Sequence, residues 1–145
     1  MSDVLTLSQI KMPGTARSKD DAIRETGEIL VDAGAVEPAY IDSMFDRERS
    51  VSTYMGNYLA IPHGTNESKE SIKRSALSVI RYPEPIDLDG NEVLFALGIA
   101  GYQGGHMDIL SRIAIVFSDT DEVDKLVAAQ SAQELYDLLN AVNEE

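Results

Sequence analysis

The sequence predicts an α/β fold, a central sheet covered by helices, on three observations. Strand-like and helix-like segments intermix along the chain instead of falling into separate blocks. The run Val93-Leu94-Phe95-Ala96-Leu97-Gly98-Ile99-Ala100 is apolar almost throughout, as in a central strand buried on both faces. The 145 residues, 43% of them hydrophobic, suffice for one sizeable core and so for a single domain over 1–145.

Taken in order, Val4–Leu7 alternates weakly and reads as an edge strand, followed by a loop through Pro13-Gly14. Ser18 with Asp21 opens a helix whose apolar face is Ile23, Thr26, Leu30 and Ala33, and Gly34 stops it. Glu37-Pro38 starts a second helix, with Tyr40, Ile41, Met44 and Phe45 at helical spacing, ending near Arg47 and Arg49. The apolar segment from Leu59 climbs to Pro62-His63-Gly64. Pro62 biases Ile61 toward extended geometry and Gly64 opens backbone angles closed to other residues, so a strand should end there with His63 on its rim. Asn66–Ile72 suggests a short polar helix, which would put His63 near that helix's positive end. Ala76–Ile80 reads as a strand closed by Tyr82-Pro83-Glu84-Pro85, and Asp89-Gly90-Asn91 is a strong turn leading into the central strand. After Gly101-Tyr102-Gln103-Gly104-Gly105, the spacing of Met107, Leu110, Ile113, Ala114 and Phe117 predicts a helix with His106 in or just before its first turn. Asp119-Thr120-Asp121 separates it from a short helix carrying Val123, Leu126 and Val127. Ser131 and Glu134 form a capping box for a last helix that buries Leu135, Leu138, Leu139 and Val142.

Composition excludes several classes of function. With 25 acidic and 12 basic side chains the formal charge is −13, which opposes binding to nucleic acid or anionic lipid and favours a basic protein partner. The absence of cysteine excludes disulfides, thiolate metal sites and cysteine nucleophiles, and suits a reducing cytosol. The apolar runs are too short to span a bilayer and the N-terminus lacks the regions of a signal peptide, so the expected location is cytoplasmic, without membrane insertion.

The chemistry-bearing residues are the two histidines, His63 and His106, each beside a glycine-containing turn. An imidazole can accept a phosphoryl group reversibly, because its neutral form is available near neutral pH and its ring nitrogen is nucleophilic. The transferred group carries negative charge that Arg47, His106 and amides at a helix start can stabilise. Simpler readings stand beside this one: an exposed turn histidine at 63, a packing or capping histidine at 106, and surface ion pairs joining Arg47 and Arg49 to Asp46 and Glu48. Two histidines far apart, with no ligand-spaced acidic pair, do not make a metal site. Gly101–Gly105 lacks the lysine and hydroxyl of a nucleotide P-loop, so no cofactor is expected.

In combination, Asp46-Arg47-Glu48, Ser52-Thr53-Tyr54-Met55-Gly56-Asn57, Ala60-Ile61-Pro62-His63-Gly64-Thr65 and Gly98-Ile99-Ala100 through His106-Met107-Asp108-Ile109-Leu110 resemble the IIA component of the bacterial phosphoenolpyruvate-dependent sugar phosphotransferase system. Within it, the resemblance is to the mannitol type of the mannitol and fructose branch. It runs from about Leu5 to Val142, leaving no stretch for a fused transporter domain. The resemblance implies a mixed sheet with helices on both faces. It implies that His63 takes the phosphoryl group from the phosphocarrier HPr and gives it to a cysteine of the IIB component of a membrane sugar permease. By the same matching, Arg47 and His106 contact or orient that group, with Arg49 in a supporting part. A fructose-type IIA and a regulatory module of the same fold, whose phosphorylation switches a protein partner, are the alternatives.

Overall fold

A computed structural model of the chain describes residues 4–50, 52–64, 70–102 and 106–140. Its sheet runs β1 (Ile10–Lys11), β4 (Ala76–Leu88), β5 (Asn91–Ala100), β3 (Leu59–Ala60) and β2 (Tyr54–Gly56) from edge to edge, so the apolar run is the middle strand. β5 is antiparallel to β4 and parallel to β3, and β1 is parallel to β4, which makes the sheet mixed. Helices α1 (Lys19–Asp32) and α2 (Ala39–Ser50) lie on one side. The other side carries α3 (His106–Phe117), α4 (Thr120–Ala128) and α5 (Ala132–Leu139).

Alternation along the central strands feeds both layers. Leu77, Val79, Phe95, Leu97 and Ile99 pack with Ile109, Ile113, Phe117, Leu126 and Leu135 of the three-helix side. Ala76 and Ala100 meet Ile23, Leu30, Tyr40 and Met44, while Ile80, Tyr82 and Ala96 meet Ala22. Small residues set the spacing on that second side. A methyl group on Gly98 would lie 2.5 Å from Ser78 Oγ and 2.8 Å from Thr26 Cβ, so α1 sits against the sheet only because residue 98 has no side chain.

Helix ends follow their capping chemistry. The side chain of Ser18 accepts from the Asp21 amide and that of Ser131 from the Glu134 amide, and Gly34, at φ 74°, follows the end of α1. Asp89 and Gly90, at φ 55° and 94°, form the tight turn between β4 and β5.

Four expectations change. The N-terminal edge strand is not Val4–Leu7. Leu7–Gln9 is a 3-10 turn and the strand comes later at Ile10–Lys11, because the buried Gln9 side chain donates to the Val4 and Leu77 carbonyls and bends the chain there. β4 does not end at Tyr82-Pro83-Glu84-Pro85 but continues to Leu88. The two prolines fall within a register shift between Arg81 and Ile86, where no ladder N–H is required of them. The buried stripe of α3 is Ile109, Ile113 and Phe117, and Ala114 faces solvent, since the helix presents its i, i+4, i+8 row to the sheet. Ala33 is only half-buried at the end of α1, where the helix leaves the sheet. Asn66–Lys69 of the expected polar helix, and Val142, lie outside the described residues.

Candidate functional site

The segment bearing His63 is held by its backbone on every side. β2 and β3 form a hairpin whose turn residues, Asn57 and Tyr58, both have positive φ, at 51° and 67°. The Asn57 side-chain amide donates to the Phe117 carbonyl at 2.6 Å, and the Tyr58 carbonyl accepts from the Leu94 and Phe95 amides, so the hairpin is tied to α3 and β5. Beyond β3, the Ile61 amide donates to the Thr53 carbonyl at 3.0 Å and the Ile99 amide donates to the Pro62 carbonyl at 3.0 Å. His63 itself bridges Ile99 in parallel register. It therefore sits at the carboxyl end of the central strand, half-buried on a rim, as its neighbours Pro62 and Gly64 predict.

One ring contact sets the tautomer of the imidazole. His63 Nδ1 lies 2.8 Å from the Ile61 carbonyl oxygen. That oxygen can only accept, so Nδ1 carries the hydrogen and, in the neutral ring, the lone pair is on Nε2. Proline at 62 contributes by biasing Ile61 to the extended conformation.

Two polar side chains of α2 support this segment. Tyr40 is 2% exposed, and its hydroxyl donates to the Ile99 carbonyl at 2.7 Å while accepting from the Gly64 amide at 2.8 Å. Burial pushes the phenol up to about 12, against a smaller opposing pull from the Gly64 amide, so at neutral pH it keeps the proton that it donates. Glu48 is 6% exposed, and its two carboxylate oxygens accept from the Thr53 hydroxyl at 2.6 Å and the Thr53 amide at 3.1 Å. The sequence displays both residues, but periodicity marked Tyr40 only as apolar and did not separate Glu48 from its solvated neighbours. The usable signal was their i, i+8 placement in line with Met44, which puts a hydroxyl and a carboxylate on the buried stripe.

Arg47 is half-buried in the last turn of α2, next to Glu48. Arg49 is exposed and ion-paired with Asp46, the ordinary surface pairing weighed for it from sequence. His106 is the first residue of α3, which begins shortly after β5 ends at Ala100, and its side chain lies outside the described residues. The two histidines thus belong to the same end of the central strand, one beside it and one after it. Among the described residues no three His, Asp or Glu side chains gather in a way that could hold a metal ion, and no helix is long and apolar enough to cross a membrane.

Residues 3–142 match the family model for the phosphoenolpyruvate-dependent sugar phosphotransferase system, EIIA 2. The chain belongs to this family. It is 50% identical over 141 residues to the mannitol-specific phosphotransferase enzyme IIA component of Halalkalibacterium halodurans, covering 97% of each chain. It is 45% identical over 141 residues to the protein of the same description from Geobacillus stearothermophilus, again covering 97% of each. Among solved structures, the complex of enzyme IIA and phosphorylated enzyme IIB of the Escherichia coli mannitol system superimposes with a TM-score of 0.86. Identity there is 30%, over 93% of this chain and 96% of that one. An EIIA of this family is a phosphotransferase component.

Proposed function

We propose that the chain is a cytoplasmic EIIA domain that accepts a phosphoryl group from HPr on His63 and passes it to a cysteine of the IIB component of a mannitol permease. The observation that carries this is the bond from His63 Nδ1–H to the Ile61 carbonyl, which assigns the nucleophilic lone pair to Nε2. In the first step that pair attacks the phosphorus of the donor's phosphohistidine. The new Nε2–P bond forms as the donor's N–P bond breaks, and the departing nitrogen recovers its lone pair. In the second, a IIB cysteine thiolate attacks the same phosphorus, the S–P bond forms as the Nε2–P bond breaks, and the electron pair returns to Nε2, leaving His63 as the neutral ring.

In each step negative charge spreads over the equatorial oxygens of the transferred group. Arg47 supplies a fixed positive charge to them, and His106, opening α3, orients the group by hydrogen bonding alongside the helix's N-terminal amides. The Ile61 carbonyl acts on the ring: it stabilises the positive charge that develops on the imidazole as Nε2 bonds to phosphorus. The assignment of mannitol is supported by relatives of that description at 50% and 45% identity over nearly the whole chain.

Incubation with phosphoenolpyruvate, enzyme I and HPr should add one phosphoryl group to the wild-type chain, lost in mild acid and absent in His63→Ala. NMR of the product should find phosphorus on Nε2. Equal labelling of the His63→Ala chain overturns the acceptor assignment, and phosphorus on Nδ1 overturns the geometry. Transfer from the labelled chain to a mannitol IIB, but not to a fructose IIB, is the expected outcome for the acceptor.

A further inference from the structure

The row Tyr40, Met44 and Glu48 is the buried stripe of α2. A carboxylate on such a stripe is costly unless its oxygens are hydrogen-bonded, and both oxygens of Glu48 spend that capacity on one residue, Thr53. Held by its amide and its hydroxyl together, Thr53 has a fixed backbone and therefore a fixed carbonyl direction. That carbonyl takes the Ile61 amide at 3.0 Å, and the Ile61 carbonyl takes His63 Nδ1–H at 2.8 Å. A continuous series of hydrogen bonds thus runs from the end of α2 to the imidazole.

We propose that Glu48 is a positioning residue for His63: by gripping Thr53 it fixes the Ile61 carbonyl that orients the ring and keeps it in the Nδ1–H tautomer. The inference rests on the reading of His63 as phosphoryl acceptor. It explains why a carboxylate stands where the stripe calls for an apolar side chain. A glutamine in its place has one acceptor oxygen: with that oxygen on the Thr53 amide, its NH2 must donate to the Thr53 hydroxyl, which reverses that bond, exchanges charge-assisted bonds for weaker neutral ones and loosens the grip that fixes the ring's acceptor.

Glu48→Gln, Thr53→Val and Thr53→Ser should be compared with wild type by phosphoryl-transfer kinetics with phospho-HPr and by imidazole nitrogen-15 shifts of the unphosphorylated protein. In Glu48→Gln, kcat should fall about tenfold with KM for phospho-HPr unchanged, as expected of a misplaced nucleophile. The nitrogen shifts should move away from a pure Nδ1–H tautomer. Thr53→Val should move both in the same direction by less, and Thr53→Ser, which keeps the hydroxyl, should recover them. Variants with a lowered Tm but wild-type kcat and wild-type nitrogen shifts overturn the proposal and leave Glu48 a structural role only. If wild type takes up no phosphoryl group, the proposed function fails, while the nitrogen shifts of Glu48→Gln and Thr53→Val still decide the clamp.

Discussion

The Tyr40 hydroxyl satisfies two backbone groups, the buried Ile99 carbonyl and the half-buried Gly64 amide. Tyr40→Phe keeps the ring and removes only that oxygen, so it should cost about 1–3 kcal/mol in urea unfolding, since leaving buried groups unsatisfied is dearer than losing one net hydrogen bond. Glu25 makes a sharper prediction. Burial alone would raise its carboxyl, but Lys11 at 2.7 Å, the Thr15 amide and hydroxyl, and Tyr82 outweigh burial and hold it at about 2. The folded value lies below the ordinary 4.5, so the ionised form stabilises the fold above about pH 4.5 and that contribution is lost as pH falls toward 2. At pH 7 it amounts to about 3 kcal/mol. Glu25→Gln should therefore be less stable than wild type at pH 7 and show a flatter decline between pH 5 and pH 3, which denaturant titrations at each pH would check. Legibility differs between such residues. His63 stood out because proline and glycine are local signals, whereas Glu25 and Tyr40 are held by partners far away in sequence, and Glu48, whose partner Thr53 is near in sequence, takes its role from the burial of both.

At the scale of elements, the helices and the central strand were readable because each carries its own period and caps: Ser18 and Ser131 cap as read, and Val93–Ala100 lies mid-sheet. What sequence did not disclose depends on neighbours. β4 continues past two prolines because β5 shifts register beside them, and β1 is a two-residue strand placed by a buried glutamine. The hairpin before His63 was hidden for a different reason. Its turn is Asn57-Tyr58 rather than the usual Asn-Gly, and a tyrosine at φ 67° gives no local warning of left-handed backbone. Close approach of elements is equally invisible until the fold is known. Gly98 read as a neutral member of an apolar strand, yet α1 rests on it, with Ser78 Oγ donating to the Thr26 carbonyl at 2.9 Å across the same contact. Gly98→Ala must push α1 off the sheet or displace Ser78, and should destabilise by about 1–3 kcal/mol, read as a lower urea midpoint with an unchanged m-value.

Across the whole molecule, the charge of −13 and the exposed side chains act on encounter more than on folding. Arg47 and His63 sit in a strongly acidic chain, so an approaching partner with a basic face is drawn by the molecule's net field before it meets the site. That field is screened over about 8 Å at physiological ionic strength and about 3 Å in molar salt, whereas the bond rearrangement at Nε2 occurs after docking, over shorter distances. Salt should therefore separate the two. Raising ionic strength from about 0.01 M to about 0.5 M should lower kcat/KM for phospho-HPr several-fold through the association rate, with kcat nearly constant. A kcat/KM indifferent to salt would mean that apolar contact dominates the encounter, and the large apolar side chains exposed among the described residues are Leu7, Met55, Tyr58, Tyr102 and Ile115. Tyr58→Ser and Ile115→Ser would then lower kcat/KM at every ionic strength. Under steering by charge, they should leave the slope against salt unchanged.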